Sequence, residues 1–142
     1  MDLKYTLKRI RTISPISLGA TASGGKVGKP IDTAGYGSKM IEIDYGTVTA
    51  TNATVTPVIL EGDVTGTMTS AADADLVYLE ASAKLPQAAT RTSGTNKNYS
   101  TGIGYKGSKR YVSCNLIPTI SGGIVASATV LLGDPMKQPT AA

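Results

Sequence analysis

The clearest hydrophobic pattern in this chain has a period of two. Val112, Cys114 and Leu116 fall on one side of a run whose other side is Tyr111, Ser113 and Asn115. The run is entered through the glycine-punctuated segment Gly104-Tyr105-Lys106-Gly107-Ser108-Lys109-Arg110 and ends at Pro118. After Ser121-Gly122-Gly123, Ile124, Ala126, Ala128, Val130 and Leu132 alternate against Val125, Ser127, Thr129 and Leu131. Both runs have the signature of half-buried strands, and their proximity predicts a long closing hairpin.

The same alternation recurs upstream. Ile41, Ile43 and Tyr45 alternate with Met40, Glu42 and Asp44, and Gly46 offers a turn into the threonine-rich run Thr47 to Thr56. Pro57 precedes the short apolar piece Val58-Ile59-Leu60, and Glu61-Gly62-Asp63 is turn chemistry. Val64 to Thr69 predicts another short strand. Asp73 and its neighbours predict a turn or a single helical turn before the strand Leu76 to Leu79. Pro86 to Ser100 is polar and reads as a long surface loop, a length that usually serves binding or assembly.

The first thirty residues are patterned differently. Leu3, Leu7 and Ile10 could share a helical face, whereas Leu3, Tyr5 and Leu7 could alternate as a strand, so local pattern does not decide. Ser14-Pro15 breaks a helix, and Leu18 to Pro30 is a Gly/Ser/Ala/Lys-rich connector. The expected organisation is an extended arm and linker over residues 1–30, a single β-sandwich, jelly-roll-like, over residues 31–133, and a short tail over residues 134–142. The two segments Gly35-Tyr36-Gly37-Ser38-Lys39 and Gly104 to Lys109 echo one another before their strands. If the echo is structural, it puts both lysines at one end of the domain.

Composition narrows the chemistry. Seven Tyr with neither Phe nor Trp leave the core to aliphatic side chains. One cysteine, Cys114, rules out an intramolecular disulfide and reads as a small buried apolar residue. No apolar run reaches the ~18 residues of a membrane helix, and no signal-peptide core follows the basic N-terminus. Histidine is absent, which removes the commonest general base and the commonest metal ligand. The GxGxxG spelling from Gly102 to Gly107 runs into a strand rather than a helix, so it does not predict nucleotide binding. The pairs Glu61/Asp63 and Asp73/Asp75 lack calcium-loop spacing. No nucleophile, base and oxyanion donors assemble by sequence logic, so neither an enzyme nor a cofactor or metal site is expected.

Charge is partitioned along the chain. Residues 1–31 carry six basic residues against Asp2, whereas residues 32–80 carry eight acids against Lys39. Residues 81–133 hold six basic residues and no acid. Such blocks suit contact between copies, acidic face against basic edge. The acidic middle and the lack of interleaved aromatics argue against nucleic acid.

From Gly104 to Leu116 the chain resembles small virion proteins of tailed bacteriophages. Their C-terminal halves carry a Gly-Tyr-x-Gly-x-Lys-Arg-Tyr-Val run entering a strand, matched here by Gly104-Tyr105, Gly107 and Lys109-Arg110-Tyr111-Val112. This chain departs from the pattern after Val112, where Ser113 and Cys114 replace a further basic residue. The resemblance implies a non-enzymatic capsid decoration (cement) protein, made in the bacterial host cytoplasm and located on the capsid surface. Its implied partners are the major capsid protein and further copies of itself, with no nucleic acid and no membrane. The expected interface residues are Leu3, Tyr5, Leu7, Lys8, Arg9 and Arg11 in the arm, with Lys106, Lys109 and Arg110 at the strand start. The alternative is a carbohydrate- or receptor-binding module, or other accessory module, of a phage tail, neck or fibre. Its groove would be lined by Tyr36, Tyr45, Tyr78, Tyr99 and Tyr105.

Overall fold

A computed structural model of the chain describes residues 11–20, 25–48, 55–78, 99–119 and 124–136. Among them the strands are β1 (Arg11–Ala20), β2 (Lys26–Val27), β3 (Ile31–Asp32), β4 (Tyr36–Val48), β5 (Val55–Gly62), β6 (Thr69–Ser70), β7 (Leu76–Tyr78), β8 (Tyr99–Tyr105), β9 (Tyr111–Pro118) and β10 (Ile124–Pro135). A single 3-10 turn, Asp73–Asp75, precedes β7, as the sequence pattern predicts.

All pairings are antiparallel and form two sheets. The first is ordered β1-β10-β4-β8-β7; the second is ordered β2-β9-β5-β6, with β3 also on β9. The pairs nest: β1 with β10, β2 and β3 with β9, β4 with β8, and β5 with β6. This is a long hairpin rolled up on itself, the connectivity of a jelly roll. The β-sandwich expected from the sequence is the observed fold.

One apolar core joins the two sheets. Ile41, Ile43 and Tyr45 of β4, Ile103 and Tyr105 of β8, and Ala126, Ala128, Val130 and Leu132 of β10 meet Val55 and Ile59 of β5 and Val112, Cys114 and Leu116 of β9. These are the period-two positions read from the sequence. The small alanines of β10 share this core with the bulkier side chains of the other sheet, and its aromatic members are tyrosines. Cys114 is fully buried, and burial pushes its thiol pKa up to about 12.

Four expectations change. β9 and β10 are not a hairpin, because β9 lies in the second sheet and β10 in the first; the chain crosses between sheets after Pro118. Gly46 does not end a strand. β4 continues to Val48, and between Tyr45 and Val48 it carries one residue more than β10 does between Ala126 and Ile124, a bulge that lets a long strand follow the sheet's twist. Of the predicted strand Val64 to Thr69 only Thr69 is in a strand, the two-residue β6, since the chain from Asp63 to Thr67 bends and turns. Finally, residues 11–20 form β1 on the edge of the first sheet, and Lys26–Val27 pair with β9. Pro15 and two register shifts mark β1 as an edge strand, where a missing N–H and irregular spacing are tolerated.

The ends of the sandwich are distinct. The turns between β3 and β4, β5 and β6, and β8 and β9 gather at one end, because Tyr36, Gly62, Tyr105 and Tyr111 all lie there. Residues 79–98, which include most of the predicted long loop, lie outside the described residues. Of their flanking strands, β7 runs from Leu76 opposite Tyr105 to Tyr78 opposite Ile103, and β8 begins at Tyr99, opposite Tyr45.

Candidate protein interface

At the turn end, the Gly104–Val112 run is organised around one side chain. Tyr105 closes β8 with its ring buried at 4% exposure. Its hydroxyl donates to Glu61 Oε2 at 2.5 Å and accepts from the Lys109 N–H at 3.2 Å. Burial first, and the neighbouring Glu61 carboxylate second, push the phenol well above its ordinary pKa. The chain then wraps over the ring. A Cβ on Gly107 would lie 2.4 Å from the hydroxyl oxygen and 2.5 Å from the carbon bearing it, so only glycine fits. This close approach explains the spacing Gly-Tyr-x-Gly. Tyr105 is the post, and Gly107 is where the backbone crosses it.

The rest of the run is tied to neighbouring turns. Lys106 N–H donates to the Asp75 carbonyl at 2.9 Å, holding the β8–β9 turn against the start of β7. The Arg110 carbonyl accepts from both the N–H and the hydroxyl of Thr33, at 2.9 and 2.8 Å. Thr33 opens the β3–β4 turn, in which Gly35 adopts φ +84°, a conformation L side chains rarely take. Lys39, the lysine of the first Gly-Tyr echo, stands over the Tyr105 ring at 5.3 Å from its centroid and reaches the Gly107 carbonyl at 3.5 Å. The echo therefore brings its two lysines to the same end of the fold.

Charges meet here too. Lys109 Nζ binds Asp63 Oδ2 at 2.5 Å, and Arg110 forms a two-pronged pair with Asp32 at 3.1 and 2.8 Å. Asp32 also accepts from the Ala34 N–H at 3.0 Å. Arg110 and that backbone donor together lower the Asp32 pKa to about 2. Lys109 likewise draws Asp63 below the usual carboxylate range. Both acids come from the acidic middle block and both cations from the acid-free block. The blocks that suggested contact between copies thus meet, at these two pairs, within one chain.

The expected interface residues separate accordingly. Lys109 and Arg110 have intramolecular partners, whereas Lys106 is exposed, with no ion-pair partner among the described residues. Arg11 begins β1, its Cα opposite Leu132, which places it at this same end of the sandwich. Leu3, Tyr5, Leu7, Lys8 and Arg9 lie outside the described residues. Of the five tyrosines expected to line a groove in the alternative reading, the Tyr99 side chain lies outside the described residues. Tyr45 and Tyr105 belong to the core and Tyr36 and Tyr78 pack against it. The Glu61/Asp63 pair is engaged by Tyr105 and Lys109, and Asp73 and Asp75 sit in the 3-10 turn.

The sequence reading missed Glu61, Asp63, Asp32 and Lys39 as the fasteners of this turn. Only the Gly-Tyr echo pointed toward Lys39. The acids carried no local signal, because they are 44, 46 and 78 positions from their partners.

The fold and this fastened turn define the chain as a jelly-roll β-sandwich with a cross-tied corner of paired charges. No family model matches the sequence, and no curated protein sequence matches it. Among solved structures, the chain is similar to the SPBc2 prophage-derived protein YomS, with 12% identity, a TM-score of 0.48, and coverage of 87% of this chain and 93% of that one. It is also similar to part of VP2 in a subviral particle of infectious bursal disease virus, with 14% identity and a TM-score of 0.45. There the match spans 92% of this chain and 34% of that one.

Proposed function

We propose that this chain is a non-enzymatic structural protein of a phage virion, and specifically a decoration protein that binds the assembled head at capsomer junctions. The observation that carries this reading is the Gly104–Val112 run. It resembles small phage virion proteins in sequence, and in the fold it is built as a cross-tied corner projecting Lys106, which has no ion-pair partner among the described residues. A turn fastened by Tyr105, Thr33 and Asp32 keeps its shape when it meets a partner, so little ordering cost is added on binding. Stabilisation of the shell would follow by mass action. A ligand that binds only the assembled state, at a hundred times its Kd, stabilises that state by about 2.7 kcal/mol.

The test is co-sedimentation of the purified chain with expanded phage heads, alongside its copy number per virion by quantitative mass spectrometry. Saturable binding and hundreds of copies support decoration. A handful of copies, or no binding, overturns it. Lys106→Glu is expected to weaken head binding while leaving the melting temperature unchanged. Arm contacts are tested by deleting residues 1–10, because deletion through residue 20 also removes β1.

A further inference from the structure

Between β2 and β3 the chain lies across the edge of β9. Lys26 and Val27 pair with Leu116 and Asn115, and Ile31 and Asp32 pair with Val112 and Tyr111, so Gly28, Lys29 and Pro30 pass over Ser113 and Cys114. Residues 25–30 bury no apolar side chain. Val27 is 76% exposed, Lys29 and Pro30 are exposed, and the one buried residue is Gly28. Polar contacts hold the segment. The Gly28 N–H donates to Asn115 Oδ1 at 3.2 Å, and Lys26 Nζ donates to the Ala126 carbonyl of the first sheet at 3.1 Å. Its two glycines are pressed against β9. A Cβ on Gly25, which adopts φ +79°, would lie 2.6 Å from the Leu116 carbonyl oxygen. One on Gly28 would overlap the Cys114 carbonyl oxygen and lie 2.8 Å from Ser113 Oγ. Beneath them Ser113, on the side of β9 away from the core, is fully buried, and its hydroxyl has no hydrogen-bond partner among the described residues.

We propose that residues 25–30 form a latch over the edge of β9 that opens by itself while the sandwich stays folded. Its two flanks are anchored. β1 runs ten residues along β10 on one side. On the other, Ile31 enters the core and Thr33 donates twice to the Arg110 carbonyl. Local opening occurs where buried apolar contact is least, and the side chains between these anchors supply none. Closing is also costly in entropy at Gly25 and Gly28, since glycine loses more backbone freedom on ordering than any other residue. Closing shuts the Ser113 hydroxyl away from water with nothing in return, whereas in the open state water satisfies it. Ser113 therefore biases the latch toward opening. What opening bares is the β9 edge from Ser113 to Leu116, and an unpaired strand edge is a template for pairing with another chain. The latch decides when that edge is available.

The latch does not depend on the decoration reading, and its test uses no phage heads. Amide hydrogen exchange of the full chain is followed residue by residue by NMR, at increasing urea below the unfolding transition. The Gly28 amide is expected to exchange at least about tenfold faster than the slowest amides of β4, at a rate that urea leaves unchanged, because a local opening exposes little surface. Ser113→Ala should slow Gly28 exchange by about tenfold, since the open state then gains no hydrated hydroxyl. Gly25→Ala should hold the latch open, bringing the Gly28 amide to the rate of an unstructured peptide while the β4 amides keep theirs. Gly28 exchange that matches β4 in rate and urea dependence overturns the proposal. So does Gly25→Ala if it speeds β4 exchange in step with Gly28, or Ser113→Ala if it leaves Gly28 exchange unchanged or faster.

Discussion

At the scale of single residues, Tyr105 is the most consequential side chain outside the aliphatic core. Tyr105→Phe leaves Glu61 without its phenol donor and the Lys109 N–H without its acceptor. Loss of a part-buried hydrogen-bonded group costs about 1–3 kcal/mol, to be read from the midpoint of urea unfolding. Gly107→Ala should be worse tolerated than Gly35→Ala in its contacts, because a Cβ collides with Tyr105 at the first site and meets nothing within 4 Å at the second. Gly35→Ala carries backbone strain instead. Asp32 gives a pH signature. Its folded pKa is depressed to about 2, below its value in the unfolded chain, so its stabilising contribution is present above the ordinary carboxylate range. That contribution is lost as pH falls from near 4 toward 2. Asp32→Asn should flatten this part of the acid-unfolding curve. The pair is exposed, so the effect should also shrink in high salt. Cys114 gives a further readout. Its thiol is buried and its pKa raised to about 12, so labelling by a thiol reagent is expected only as fast as the protein opens. Rapid labelling of the native protein would show that β9 is not held in the core.

At the scale of elements, β1 and β9 show how far local pattern reaches. β9 is legible because Val112, Cys114 and Leu116 supply a strict alternation, and the core needs that alternation in any pairing. Its partners were not legible. Proximity in sequence suggested β10, but the sandwich gives β9 to β5, with Val112 opposite Glu61 and Ile59 opposite Cys114. β1 was hidden for another reason. Its pattern is interrupted by Pro15 and by small residues near Gly19, as expected where a strand sits at a sheet edge with an irregular register. Deleting residues 1–10 leaves the β1–β10 pairing in place and should preserve thermal stability. Deleting residues 1–20 strips the twelve-residue strand β10 of one of its two neighbours, turning it into a sheet edge, and should lower the melting temperature and promote aggregation. Equal melting temperatures for the two deletions would contradict the role given to β1.

At the scale of the whole molecule, nested pairing makes the fold cooperative and slow. Arg11 must find Leu132, and Tyr45 must find Tyr99, before either sheet is complete. Closing such long loops precedes the contacts that reward it, so stopped-flow refolding is expected on about the millisecond-to-second scale. A microsecond phase carrying the full amplitude would argue against this topology. The same nesting brings the acidic middle block to the basic third of the chain at the turn end. Charge segregation along the sequence is thereby partly internal structure, and Lys106 is left as the corner's outward cation.

The sequence alone determined the strand character and the inward positions of β4, β9 and β10, the inert cysteine, and the all-β class. Those properties follow from period two and side-chain volume, which each segment carries by itself. Only the tertiary structure decided which strands share a sheet, that residues 11–20 complete the sandwich, and that Lys109 and Arg110 spend their charge on Asp63 and Asp32. Pairing is a relation between distant segments, and many strands offer equivalent edges. The choice among them is made by closing one core with all apolar faces buried together.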